Sequence, residues 1–138
     1  MERDYIIQCI GDIQSHDGLC IMILNLNDSF IGETKMTTLN YGKERSESYV
    51  GLLGNKPKFF NNENTVYQFG LKVFEDFQKQ GWGEKLKLEC HKIAWESGYS
   101  YITNIVRRDN VGSQKLMNKL EYKRLRGDDI RDLYYYEL

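Results

Sequence analysis

Leu71-Lys72-Val73-Phe74-Glu75-Asp76-Phe77-Gln78-Lys79-Gln80-Gly81-Trp82-Gly83-Glu84-Lys85, residues 71–85, is the stretch on which the fold turns. It opens at the end of a strand-like run, Thr65 to Val73, and closes at the start of a helical one. Two glycines separated by one residue stand at that junction. Without Cβ atoms, Gly81 and Gly83 let a ligand approach the backbone and permit unusual dihedrals. The first turn of the helix leaves its N–H groups unbonded, with the positive end of the helix dipole behind them. Such a junction suits a phosphate or pyrophosphate, and Lys79 and Lys85 add positive charge. It is not a Walker loop, which ends Gly-Lys-Ser or Gly-Lys-Thr where this chain has Gly83-Glu84-Lys85. Nor is it a dinucleotide fingerprint, because Leu86 stands where the third glycine belongs. A Gly-x-Gly pair alone is more often just a tight turn.

Working outward, the spacing predicts a helix from about Gly83 to Ser97 with the apolar stripe Trp82, Leu86, Cys90, Ile93 and Ala94. Glu84, Lys85, Lys87, His91 and Lys92 fall largely on its other side, and Gly98 sits where a C-terminal cap glycine belongs. Tyr99 to Val106 reads as a strand, parallel to Thr65–Val73 because a helix separates them. Asp109-Asn110 offers an N-cap to a second helix with Ser113, Leu116, Met117 and Leu120 on one face. Tyr122–Arg126 and Leu133–Leu138 form a closing hairpin around Gly127-Asp128-Asp129. Upstream, Tyr5–Ile10, Leu19–Leu26 and Phe30–Leu39 suggest an antiparallel meander, with a turn at Asn27-Asp28-Ser29. Tyr41 to Asn64, with a loop at Gly54–Lys58, is irregular and polar, long enough for a short helix or a functional loop. The expected fold class is α+β (mixed α/β): a central twisted, mostly antiparallel sheet, one parallel strand pair and two or more flanking helices.

Composition narrows the function classes. A chain of 138 residues and 16.3 kDa fits one domain, taken as residues 1–138, and is long enough to build a core without staples. No apolar run approaches the ~18 residues needed to cross a bilayer, and Met1–Tyr5 lacks the layout of a secretion signal. Cys9, Cys20 and Cys90 cannot all pair within the chain and match no zinc spacing, so reduced thiols, a cytoplasmic location and no metal are expected. The 19 basic and 20 acidic residues argue against a partner held by bulk charge, such as duplex DNA.

In this context the segment resembles the GNAT superfamily of acetyl-coenzyme A-dependent N-acetyltransferases. The family signature is Arg or Gln, two residues, Gly, one residue, then Gly or Ala, after a strand ending Leu-x-Val. Gln78-Lys79-Gln80-Gly81-Trp82-Gly83 and Leu71-Lys72-Val73 match it. A second family segment is similar to Asn110, Ser113, Leu116 and Leu120-Glu121-Tyr122, so that the likeness covers about residues 65–138. The resemblance implies that the parallel strands splay, and that Leu71 and Val73, with Lys72 between them, run beside the pantetheine arm. It implies further that Gln78, Lys79, Gln80, Gly81, Trp82, Gly83 and Glu84 line the pyrophosphate site, and that Asn110 positions the cofactor arm. A backbone N–H at a strand bulge near Val73 would polarise the thioester carbonyl. The acceptor would be an amine-bearing small molecule or protein; a homodimer is common among such proteins.

The catalytic groups are less clearly spelled. The family often carries a glutamate near the fourth strand, but Val66-Tyr67-Gln68-Phe69-Gly70 has no carboxylate, leaving Glu33 and Glu63 as the nearest candidates. Where the family commonly has a proton-donating tyrosine, this chain has Met117, so Tyr122, one of Tyr134–Tyr136, or water must substitute. Tyr122 and Glu33 are the catalytic candidates. Periodicity reads His91 as a solvated surface residue, Cys90 as a buried small hydrophobe, and Trp82 and Trp95 as core or rim packing. Arg107-Arg108, Lys123-Arg124 and Arg126 beside tyrosines read first as a solvated hairpin face and second as a contact for an acidic acceptor, nucleic acid or the cofactor's 3′-phosphate. Two alternatives to an N-acetyltransferase stay open here: a coenzyme A-binding module without catalysis, and a transferase acting on nucleic acid or another macromolecule.

Overall fold

Leu19–Leu26 alternates strictly between half-buried and buried residues, as a strand must when one of its faces covers a core. A computed structural model of the chain describes residues 4–15, 18–39 and 59–138. The irregular segment expected over Tyr41–Asn64, including its loop at Gly54–Lys58, lies outside the described residues as far as residue 58. The described elements are β1 (Tyr5–Ile10), β2 (Leu19–Leu26), β3 (Ser29–Thr38), β4 (Thr65–Val73), a 3₁₀ turn (Glu75–Phe77) and α1 (Trp82–Glu96). They continue with β5 (Tyr101–Arg107), α2 (Val111–Lys119), β6 (Lys123–Gly127) and β7 (Arg131–Glu137).

The strands form a seven-stranded sheet in the order β1-β2-β3-β4-β5-β7-β6. Every neighbouring pair is antiparallel except β4 and β5, which are joined through α1 and run parallel. The β2–β3 hairpin is tight because Asn27 and Asp28 adopt φ of 49° and 67°, the left-handed pair that a two-residue turn of matching twist needs. The fold class read from the sequence is the one observed.

Alternation sorts the strands' side chains onto two faces. One face carries Met22, Met36, Val66, Ile102, Val106 and Tyr134 against Leu86, Cys90 and Ala94 of α1 and Met117 of α2. The other carries Tyr67, Leu133 and Leu39 with Phe60, Tyr101, Ile105 and Tyr135. α1 lies across β2, β3 and β4.

Two boundaries and one burial differ from expectation. Helix α1 begins at Trp82, with Gly81 as its N-cap at φ 90°. After Gly98 (φ 88°), Tyr99 N–H still bonds to Ala94 O (3.0 Å), and this closing turn delays β5 until Tyr101. Trp95 is not packed: 67% of its surface is exposed, whereas Trp82 is buried. No described helix is long and apolar enough to cross a membrane.

Candidate functional site

The site is made by a fork. β4 and β5 pair only through Thr65–Tyr67 and Tyr101–Thr103, although both strands continue, β4 to Val73 and β5 to Arg107. β4 is turned aside by a bulge: Glu33 is opposite Lys72 and Lys35 opposite Phe69, so Gly70 and Leu71 together face Thr34. Gly70 takes φ 66°, which a glycine adopts without strain. The bulge therefore lies three residues before Val73, rather than near it as expected. It also reverses the parity of the strand, bringing Leu71 and Val73 onto the face already occupied by Val66 and Gln68.

Beyond the fork opens a cleft of about 600 Å³ between the end of β4, the N-terminus of α1 and the exposed side of α2. Leu71, Val73, Gln78, Lys79, Gly81, Trp82, Gly83, Glu84 and Asn110 all line it. Lys72 and Gln80 do not. Lys72 points to the opposite face with its cross-strand partner Glu33, and Gln80 bonds through Nε2 to Asp76 O (3.2 Å). Lys85 also turns away, its ammonium 4.9 Å from the Tyr5 ring centre. In its place α2 supplies Lys115 and Lys119. Sequence reading missed both, though their spacing of four residues puts them on one helical face. Three lysines thus meet one glutamate, Glu84, which Lys119 pairs at 2.7 Å.

The cleft's features fit a phosphorylated ligand. The first α-helical bond of α1 runs from Lys85 N–H to Gly81 O (3.1 Å), so the amides of Trp82, Gly83 and Glu84 precede the ladder, and no side chain caps them. A Cβ on Gly83 would meet only Leu71 Cδ2 at 3.9 Å, and one on Gly81 nothing within 4 Å. The space above both glycines is thus left open by the protein's own packing. The buried indole Nε1 of Trp82 has no hydrogen-bond partner among the described residues.

At the inner end, a smaller throat of about 220 Å³ shares Leu71, Asn110 and Ser113 with the cleft and ends on Gln68, Lys87, Asn104 and Met117. Here the fork is held by side chains. One step past the last paired residues, Asn104 Nδ2 donates to Gln68 O (3.1 Å) and to Gln68 Oε1 (2.8 Å). Gln68 Nε2 donates to Thr34 Oγ1 (2.7 Å). Lys87 Nζ donates to Gln68 Oε1 and to Asn104 Oδ1 (2.8 Å), with the Tyr122 ring centre 4.9 Å away. Lys87 is 1% exposed, contrary to its expected place on the polar side of α1. Burial pulls its amine down to about 7.

No protein-family model and no curated protein sequence matches the chain. Solved structures do. The GNAT domain of S. lividans PAT superposes with a TM-score of 0.67 at 15% identity, over 87% of this chain and 61% of that one. The fold is the GNAT acetyltransferase fold. The PaiA N-acetyltransferase of Thermoplasma acidophilum, solved with coenzyme A, gives 0.66 at 14% identity over 87% and 61% of the two chains. A Bacillus anthracis protein named as a streptothricin acetyltransferase, solved with acetyl coenzyme A, gives 0.67 at 16% over 92% and 66%. The chain therefore spans between three fifths and two thirds of the length of these proteins.

Within this GNAT fold the two catalytic candidates stand away from the cleft. Glu33 projects from the sheet face opposite Lys87, because it is opposite Lys72 and not opposite Gln68. Tyr122 is buried beneath Lys87 with its hydroxyl bonded to His91 Nε2, and burial, then Cys90, raises the phenol's pKa. His91 is half-buried rather than a solvated surface residue: it also packs on Tyr136 at 4.6 Å, and burial, then Lys87, lowers it to about 4. Cys90 is buried as expected, and burial raises its thiol. Among the C-terminal cations, Arg108 (3.0 Å) and Arg124 (2.9 Å) both bind the buried Asp132, and Arg107 pairs with Asp109 (3.1 Å). That pairing removes much of the free positive charge that a nucleic-acid surface needs.

Proposed function

We propose that this chain is an acetyltransferase that binds acetyl-coenzyme A in the forked cleft and transfers the acetyl group to a primary amine. The observation that carries the proposal is the continuity of the uncapped α1 N-terminus, the three cleft lysines and the β4–β5 fork. In this reading the amides of Trp82, Gly83 and Glu84 bind the pyrophosphate, with Lys79, Lys115 and Lys119 around it. Leu71 and Val73 hold the pantetheine arm along the edge of β4 that β5 has left, and Asn110 helps position it. The β4 bulge at Gly70 interrupts the ladder to β3 beside the fork, and in this reading a backbone N–H there polarises the thioester carbonyl. Acetyl-coenzyme A supplies the activated acyl group; the chain supplies binding, orientation and proton transfer.

The acceptor attacks directly in a ternary complex, and it must do so as a neutral amine. For a lysine-like amine of pKa about 10.4, deprotonation at pH 7 costs about 4 to 5 kcal/mol. The free thiols of Cys9, Cys20 and Cys90 suit a cytoplasmic site of action.

Two measurements together test this. Acetyl-coenzyme A should raise the melting temperature, and a panel of primary amines should include acceptors that release free coenzyme A thiol. Stabilisation without thiol release against any amine would favour a binding module. Neither stabilisation nor release would overturn the reading.

A further inference from the structure

The throat holds an amine whose presence the packing does not require. A buried ammonium with no carboxylate partner is costly, and a methionine or leucine would fill the same space. Yet the fold spends two carboxamides, Gln68 and Asn104, on receiving it, both at the apex of the fork. We propose that Lys87 is the proton-transfer group of this site: its ammonium stabilises the coenzyme A sulfur and protonates it as the acyl–sulfur bond breaks. This deepens, and rests on, the acyl-coenzyme A reading above.

The surroundings narrow the choice to Lys87. Met117 cannot donate a proton, and the Tyr122 hydroxyl is engaged by His91. Arg107, the other cation on the throat, stays protonated and cannot give its proton up near neutral pH. No carboxylate lines the throat among the described residues. The titratable groups facing Lys87 are Cys90 and His91 on its own helix and Tyr122 across from it, while β4 and β5 present the uncharged Gln68 and Asn104. With Cys90 and Tyr122 raised and His91 lowered, all three stay neutral near pH 7, so the ammonium is the mobile proton of the pocket.

The step balances. The C–S bond breaks and its electron pair goes to sulfur, which takes a proton from Lys87. The C–N bond forms, and the acceptor nitrogen sheds the proton that returns Lys87 to its charged form.

The test uses the full chain with coenzyme A itself, free thiol and no acyl group. The ultraviolet absorbance of the bound thiolate is followed against pH, with desulfo-coenzyme A as the blank. An aliphatic thiol in water ionises near pH 8.5. The bound thiol should ionise at least one pH unit lower, a tenfold gain in thiolate, and in Lys87→Met it should titrate at or above its value in water. The wild-type curve is decisive even if that variant fails to fold. Coenzyme A that binds with an unshifted thiol, or a shift that survives in Lys87→Met, overturns this inference and leaves the acyl-coenzyme A reading standing. No binding of coenzyme A at all overturns both.

Discussion

Lys87 and His91 sit one helical turn apart, each against the Tyr122 ring, and burial pushes both toward their neutral forms. The native amine titrates near 7 against an ordinary 10.5, so the unfolded chain holds a proton there that the native chain gives up between those values. Lys87's contribution to stability is thus fully present above pH 10.5 and is lost as pH falls to about 7. In urea unfolding, the wild type should gain on Lys87→Met by about 1.4 kcal/mol per pH unit between pH 7 and 10. A pH-independent difference would show that Lys87 titrates normally. His91 has the same sign over a lower window: its contribution is present above 6.5 and is lost as pH falls toward 4. His91→Phe should therefore blunt the acid limb of the wild-type stability profile between those values. Neither burial was legible from the stripe Leu86, Cys90 and Ala94, which left residues 87 and 91 for solvent. Lys87 does stand seven residues before Ala94, nearly the same angle on the helix. What the sequence does not display is the pair of amides that receive it, 19 residues upstream and 17 downstream.

At the scale of the element, α1 is a helix whose N-terminus is left bare and whose entrance glycines leave room above them. Gly83→Asp separates folding from binding. A Cβ at this position makes only an ordinary contact, and a carboxylate in the first turn favours the helix dipole, so stability should stay within about 1 kcal/mol of wild type. Affinity for coenzyme A should fall at least a hundredfold, because bulk and negative charge then occupy the phosphate position. A variant that folds normally and binds as well as wild type would refute the site. The strand and the glycine pair were readable, and the helix start to within a residue, because turn chemistry and periodicity are local signals. The bulge at Gly70 was not, since it depends on how β4 is paired with β3. That pairing determines which residues face the cleft, and it explains why Leu71 and Val73 line it while Lys72 faces Glu33.

For the whole molecule, the strand meander, the helix crossover and the closing hairpin follow from element types and connection lengths, which is why the fold class could be read from the sequence; the placing of β7 between β5 and β6 was not among those readings. The charge distribution could not. Lys115 and Lys119 join Lys79 only after α2 is packed beside α1, while Asp132 draws Arg108 and Arg124 together on the far hairpin. Binding of coenzyme A should accordingly weaken with added salt, and Lys115→Glu should weaken it further, by about tenfold, without altering the melting temperature of the free protein. Asp132→Asn should instead cost about 1–3 kcal/mol of stability, read by denaturant midpoint, and leave coenzyme A affinity unchanged. In the function proposed, the bare amides at the head of α1 and the parted strands behind them form one continuous berth for an acyl-coenzyme A. Calorimetric titration of coenzyme A into the full chain reads that berth without needing an acceptor. A saturable complex of one ligand per chain is expected, abolished in Gly83→Asp; no heat and no complex at a large excess of ligand would mean that no such berth exists.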